Sequence, residues 1–255
     1  MTFDILTLFP EAVEAMLGIS IIGRARKAGL LAVKCHQIRD YTEDKHRNVD
    51  DTPAGGGMGM VMAAQPIYDC YRHAVADAPE GERRRVIYLS PRGQHLTHAL
   101  AAELSACDRL VLLCGHYEGF DERILEEADL RLSIGDFVLT GGELPALCVM
   151  DAVARFIPGV LGKQVSAEED SFHHSLLEYP QYTRPVAYRG KSVPELLLSG
   201  DHAKIGQWRR KESLRATCRY RPELLRSMQW QKGDGKLFLA MKEEEKEKSQ
   251  GHRED

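Results

Sequence analysis

Paired glycines at Gly141-Gly142, set between a short apolar run and a proline, are the residues of this chain best suited to hold a small molecule. They close the stretch Ser133-Ile134-Gly135-Asp136-Phe137-Val138-Leu139-Thr140-Gly141-Gly142-Glu143-Leu144-Pro145. Without a Cβ, glycine lets main-chain N–H and C=O groups approach a ligand directly. Phe137-Val138-Leu139 reads as a strand and the glycines as the turn out of it. Pro145 falls in a first helical turn, where no N–H is needed. Tyr88-Leu89-Ser90-Pro91-Arg92-Gly93 and Gly115-His116-Tyr117-Glu118-Gly119 are similar in kind, each behind an apolar run. A single such junction is ordinarily only a turn. Three of them point to one pocket built mostly from loops.

The elements that must position these turns alternate in type over residues 1–160. Strand signals cover Phe3–Leu8, Leu31–Cys35, Val86–Leu89, Leu110–Cys114 and Phe137–Leu139, with helical patterns between them. Alternation of this kind predicts an α/β fold, a largely parallel sheet covered by helices. Glu143–Phe156 reads as a helix with an apolar stripe of Leu144, Leu147, Met150 (or Val149), Val153 and Phe156, ended by Pro158-Gly159. The polar run Arg39–Asp51, followed by Pro53-Ala54-Gly55-Gly56-Gly57-Met58-Gly59, forms a loop long enough to carry function. It is not a dinucleotide fingerprint, since Met60 stands where a third glycine would fall, and no phosphate-binding G-x-x-x-x-G-K-[ST] occurs. The expected organisation is a domain over 1–160, a polar, acidic linker or lid over 161–176, and a helix-rich domain over 177–255. The last of these ends in a mixed-charge tail from Lys242, a fraying helix or disorder.

Composition narrows the class further. In 255 residues, 43% apolar and 28% charged is ordinary for a soluble globular protein. No run reaches the roughly 18 apolar residues of a membrane span. Asp4 and Pro10 interrupt the N-terminal apolar segment, which reads as a first strand and not as a signal peptide. Six cysteines without a C-x-x-C pair read as free thiols in a reducing cytoplasm. His95 with His98, and His173 with His174, lack a further ligand set, so no metal site is expected. The net charge of −4 conceals an asymmetry: residues 1–202 carry 20 Lys+Arg against 29 Asp+Glu, while 203–232 carry 9 against 2. Such a segment is either a solvated helical face or a patch that attracts a phosphate backbone. Trp208, Tyr220 and Trp230 within it could stack on bases or belong to a core.

Taken together, Tyr-Leu-Ser-Pro-Arg-Gly, Gly-His-Tyr-Glu-Gly-Phe-Asp-Glu-Arg and the stretch from Ser133 to Pro145 closely resemble the bacterial tRNA (guanine-N1)-methyltransferase family. That family belongs to the trefoil-knot class of S-adenosylmethionine enzymes. The resemblance runs from Leu8-Phe9-Pro10 to Arg221-Pro222-Glu223-Leu224-Leu225 and fades only in the tail. It implies a deep trefoil knot in the α/β domain, which no periodicity predicts. It also implies a small helical C-terminal domain, a cytoplasmic homodimer whose active sites draw on both subunits, and a requirement for magnesium. The partner it implies is the anticodon arm of tRNA, methylated on the guanine just 3′ of the anticodon to keep the reading frame.

Carried over by motif, the cofactor positions are Tyr88, Leu89, Ser90 and Pro91; Gly115, Tyr117 and Glu118; and Ser133, Ile134, Gly135, Phe137, Leu139, Gly141, Gly142 and Pro145. For Leu89 and Leu139 a core role competes. Asp170, in Ser166-Ala167-Glu168-Glu169-Asp170-Ser171-Phe172, matches the family's general base, although an acidic linker or helix cap also suits its composition. Arg155 matches an arginine beside guanine O6, and it also stands i,i+4 from Asp151. Gly59, Lys204, Arg209, Arg210, Arg215 and Arg219 are the expected tRNA contacts. His116 stands where many relatives carry arginine. A knotted methyltransferase acting on ribose or uridine, or a non-catalytic RNA-binding factor, are the alternative readings.

Overall fold

Strands β1 (Thr2–Thr7), β2 (Ala32–Gln37), β5 (Arg84–His95), β6 (Arg109–Cys114) and β7 (Leu130–Ser133) make one sheet in the order β2-β1-β6-β5-β7. Every pairing in it is parallel. Two short strands, β3 (Asp50–Asp51) and β4 (Val61–Met62), pair antiparallel outside it. These are the features of a computed structural model that describes residues 1–162, 170–172 and 174–251. The chain divides into two units, Met1–Gln164 and Val165–Asp255.

Both faces of the sheet are covered, which explains why its strands read as continuous apolar runs. Successive side chains of a strand point to opposite faces. Phe3, Ile5, Ile87, Leu89, Leu110 and Leu112 therefore share one core with α1 (Pro10–Leu17), α2 (Ser20–Lys27), α4 (His98–Leu104) and α5 (Glu143–Ala154). Leu6, Val86, Tyr88, Val111 and Leu113 share the other core with α3 (Ala64–Ala74). The α/β class expected from the alternation of signals is the class observed. Four of the five strand signals lie on sheet strands, within the residue or two by which boundaries vary.

The fifth signal is not a strand. Phe137-Val138-Leu139 pairs with nothing in the sheet, and its residues are 53, 82 and 38% exposed. The strand is Leu130–Ser133, where Leu132 is fully buried. Apolar content marks a strand only where there is a surface for it to pack on. Here the edge of β5 is taken by Leu130–Ser133, and the apolar triplet lies beyond it. Helix α5 also ends at Ala154 instead of Phe156, and its buried face is Ala146, Val149, Met150, Val153 and Ala154. Leu144, expected in the stripe, is 58% exposed. The small Ala146 takes the close contact instead, because α5 starts hard against the sheet.

A charged group lies inside this unit. Arg109, at the start of β6, donates from Nη1 to Asp4 Oδ2 at 2.7 Å and to the Ala74 carbonyl at 3.0 Å, from Nη2 to Asp77 at 3.0 Å, and from Nε to Glu82 at 2.9 Å. The other Asp4 oxygen lies 2.7 Å from His36 Nε2. The guanidinium thus ties β1, β6 and the end of α3 together with each of its three nitrogens hydrogen-bonded, the condition under which a buried ion pair is tolerated.

The second unit holds a hairpin of β8 (Ala187–Tyr188) and β9 (Lys191–Ser192), the short α6 (Glu195–Leu198), and two long helices, α7 (His202–Tyr220) and α8 (Asp234–Gly251). Leu176, Leu214, Met228 and Met241 form its core. Arg210 on α7 grips Asp234, in the first turn of α8, through two hydrogen bonds of 3.0 and 2.8 Å. The Asp234 carboxylate is buried, which works against its charge, yet Arg210 and the Gln231 N–H hold its carboxyl below the usual range. Of the expected lid, residues 163–169, with Glu168 and Glu169, lie outside the described residues, as do His173 and the end of the tail, 252–255. The tail is helical through Gly251.

Replacing Arg109 with alanine leaves Asp4 buried without its guanidinium. The expected cost is about 3–5 kcal/mol in the first unit, measured by urea denaturation of the purified chain.

Candidate active site

The carboxyl ends of β5, β6 and β7 lie side by side, and the three glycine-bearing turns leave from them. Leu89 and Gln94 of β5 both pair with Leu132 of β7, so Ser90–Gly93 makes a detour that leaves the sheet and returns to the same strand. The turns enclose a cavity of about 410 Å³, within the range of small-molecule sites. Its position, outside the carboxyl ends of parallel strands, is where α/β sheets bind ligands.

All the residues expected around a cofactor line this one cavity. The first turn brings Tyr88, Leu89, Ser90 and Pro91, and the second Gly115, Tyr117 and Glu118. The third brings Ser133, Ile134, Gly135, Phe137, Leu139, Gly141, Gly142 and Pro145. Leu89 belongs to the core as well, whereas Leu139 is exposed. Arg92, Gly119, Leu132, Val138 and Thr140 also line the cavity; the sequence does not single them out, although each is interleaved in the same turns.

Local packing shapes the walls. Ser133 Oγ donates to the Gly135 carbonyl at 3.0 Å and accepts from its N–H at 3.1 Å, which curls the chain as it leaves β7. Tyr88 and Phe120 stack with ring centroids 5.0 Å apart. Tyr117 holds a left-handed φ of 56°, a conformation costly for a non-glycine residue and frequent at functional sites. At Gly142 the third turn returns to the end of β6, its N–H donating to the Gly115 carbonyl at 3.0 Å. A Cβ on Gly142 would stand 2.5 Å from the Cys114 Cα, so only glycine fits. Burial pushes the Cys114 thiol well above its usual range, and the nearby Glu143 adds to this. That thiol is not a nucleophile.

The glycine-rich loop, whose Gly59 is an expected tRNA contact, joins this site. Glu118 N–H donates to the Met60 carbonyl at 3.0 Å, Met62 N–H to the Gly119 carbonyl at 2.9 Å, and Asp121 N–H to the Met62 carbonyl at 2.9 Å. Gly59, at φ +86°, lies so close to Glu118 that an added Cβ would stand 2.4 Å from its Oε1. At the second turn, His116 Nε2 lies 2.9 Å from both Glu143 oxygens, and the Thr7 hydroxyl donates to Glu143 Oε1 at 2.5 Å. Sequence reading does not find this cluster, because Thr7 and Glu143 are 136 residues apart.

Arg155 sits at the C-cap of α5 in the first unit and is partly buried. Asp170 belongs to the second unit and is also partly buried. Among the basic candidates, Arg210 and Arg215 are engaged inside the second unit, Arg210 by Asp234 and Arg215 by Glu212 and Glu244. Lys204 and Arg219 are differently placed, Lys204 beside Asp201 and Arg219 over the exposed Tyr220 ring. Arg209 lies 4.8 Å over the Tyr179 ring. Trp208 is partly buried near Tyr182, while Trp230 is exposed. No group of three or more His, Cys, Asp or Glu side chains is placed to hold a metal ion among the described residues.

Fold and cavity define a parallel α/β protein with a cavity of ligand size in the turns at the ends of its strands. The family described as tRNA (Guanine-1)-methyltransferase TrmD matches residues 1–227. A tRNA (guanine-N(1)-)-methyltransferase of Ruminiclostridium cellulolyticum is 54% identical over 229 residues, covering 89% of this chain and 97% of that one. One from Alkaliphilus oremlandii is 52% identical over 243 residues, covering 94% and 97%. One from Citrifermentans bemidjiense is 50% identical over 249 residues, covering 97% and 99%. The chain belongs to the tRNA (guanine-1)-methyltransferase family, and it is a transferase. Membership implies an S-adenosylmethionine-type methyl donor.

Gly59→Ala sets a Cβ against Glu118 and a side chain at a left-handed φ. The expected result is roughly tenfold weaker binding of S-adenosylhomocysteine, read by calorimetry. Gly142→Ala, which meets backbone that cannot move aside, abolishes that binding in the same measurement.

Proposed function

We propose that this protein transfers the methyl group of S-adenosyl-L-methionine to N1 of the guanine immediately 3′ of the tRNA anticodon, which supports reading-frame maintenance. The observation that carries this reading is the cavity in which three separate turns converge. Glycine main chain and the rings of Tyr88, Tyr117 and Phe137 suit an adenosyl group, and Glu118 suits its positively charged end. When bound, the donor supplies an activated methyl group on a sulfonium.

What remains for the protein is positioning and the management of one proton. Guanine N1 carries a hydrogen at neutral pH and becomes nucleophilic on losing it, so a base must reach it. Asp170 is assigned that role. Negative charge then develops toward O6, where the Arg155 guanidinium stabilises it. The target base leaves its stack to reach the cavity, with Gly59 and the loop before it beside it. Lys204, Arg209 and Arg219 hold the anticodon arm through its phosphates, contacts that position without reading sequence. Arg210 and Arg215 serve the same surface indirectly, by fixing α7 against α8.

The same reading carries a trefoil knot, with which the return of the chain from β7 to the end of β6 is compatible. It carries a homodimer, supported by the exposed Phe9, Met16, Ile19 and Leu144 around α1 and the start of α5. It carries a cytoplasmic location; no helix among the described residues is long and apolar enough to cross a membrane. Magnesium, a family requirement, has no preformed site of side chains among the described residues, and no step here is routed through it.

Mass spectrometry of tRNA treated with the enzyme and S-adenosylmethionine is expected to locate 1-methylguanosine beside the anticodon. Asp170→Asn is expected to slow single-turnover methylation by about 10²–10⁴-fold with S-adenosylhomocysteine affinity unchanged. An unslowed variant removes Asp170 from the role of base.

A further inference from the structure

Residues 181–192 of the second unit are exposed without a break. Within them β8 and β9 make a ribbon that pairs with no other strand among the described residues. Tyr182, Val186 and Tyr188 on it are 48, 49 and 61% exposed. Scattered apolar side chains are ordinary on a surface; here they come with a pattern of charge. Arg184, Arg189 and Lys191 stand among them, and no Asp or Glu lies between Glu178 and Glu195. Elsewhere in this unit Lys204, Arg210, Arg215 and Arg221 each meet a carboxylate. Arg189 lies instead over the Tyr188 ring, 5.3 Å from its centroid. The turn between the strands is strained. Arg189 and Gly190 hold left-handed φ of 50° and 74°, as a two-residue hairpin turn requires at both central positions, where asparagine, aspartate and glycine are usual. An arginine there sets a cation at the tip against the preference of the backbone, and strain of this kind is frequent at functional sites. Tyr188 and Lys191 pair directly across the ribbon, so ring and ammonium stand on one face.

We propose that the tip of this ribbon is a contact for an unpaired nucleotide of the tRNA substrate, with the Tyr188 ring stacked on the base and Arg189 and Lys191 on its flanking phosphates. The proposal rests on the reading that the substrate is tRNA. It adds to Lys204, Arg209 and Arg219 a contact of a different kind. Those residues hold phosphates, whereas an aromatic ring needs a base out of its stack, which loops of RNA present and duplexes do not. A polyanion is the partner that a cationic segment without a carboxylate complements. Aromatic rings set among cations are the means by which proteins take up unpaired nucleotides, each stacked base contributing on its own.

Binding of the full-length protein to an unmodified tRNA transcript, followed by fluorescence anisotropy across a salt series, tests this. Tyr188→Ala is expected to weaken binding about tenfold, and Tyr188→Phe, which keeps the ring, to bind as the wild type does. Both are expected to retain wild-type affinity for a blunt RNA duplex of the same length. The double variant Arg189→Gln, Lys191→Gln is expected to lower the slope of log Kd against log salt by about one for each charge removed, a change that a role in folding alone would not produce. Affinity for S-adenosylhomocysteine is expected to be unchanged in every variant, which shows the first unit intact. Unchanged tRNA affinity in Tyr188→Ala, or an equal loss on the duplex, overturns the proposal. So does a lower mass of the variants in sedimentation with tRNA affinity intact, which assigns the ribbon to a second copy of this chain. Wild-type protein that binds no tRNA overturns the reading of the substrate, and the contact with it.

Discussion

Main chain lies against main chain where Gly142 meets the end of β6, and the site follows from that contact. Its N–H reaches the Gly115 carbonyl, and its missing Cβ is what lets the third turn come so close to Cys114. Helix α5 begins at the next residue, so the burial of Ala146, Val149, Met150 and Val153 fastens the turn to the sheet. Glu143, the first residue of that helix, is thereby brought to His116 and Thr7. Core packing on one side of the sheet is thus converted into a fixed arrangement of loops at its edge. A pocket held in this way needs little ordering when a ligand arrives, which lowers the entropic cost of binding.

The second constraint is the staple between the glycine-rich loop and the turn carrying Glu118. Main-chain bonds join Met60 and Met62 to Glu118, Gly119 and Asp121 and tie the two segments together. The loop that faces substrate in the proposed reaction is therefore continuous with the wall that faces the donor. Gly59 marks the junction, with no room for any side chain beside the Glu118 carboxylate.

Much of this is legible in the residues. Strands such as Arg109–Cys114 are buried on both faces, and that leaves an unbroken apolar run in the sequence. The turns are legible because glycine marks them, and their convergence follows from three such turns standing at the ends of strands in one sheet. The Phe137–Leu139 triplet misleads because its apolar side chains line a cavity instead of a core, and composition does not separate the two. Leu130–Ser133 is hard to see because it is short and carries Arg131. The Thr7–Glu143–His116 cluster is invisible in the sequence, since topology alone brings its members together. Net charge gives a similar lesson: nine basic residues over 203–232 look like one surface, yet Arg210 and Arg215 spend their charge inside the unit.

Gly115, Gly119, Gly135, Gly141 and Gly142 present only backbone to the cavity. Point mutation changes side chains and leaves amides in place, and at Gly142 a substitution collides with the strand beneath it. An inhibitor that drew its affinity from those amides would leave few routes to resistance. Escape would fall to positions such as Tyr117, Phe137 and Val138, whose side chains are exposed at the rim.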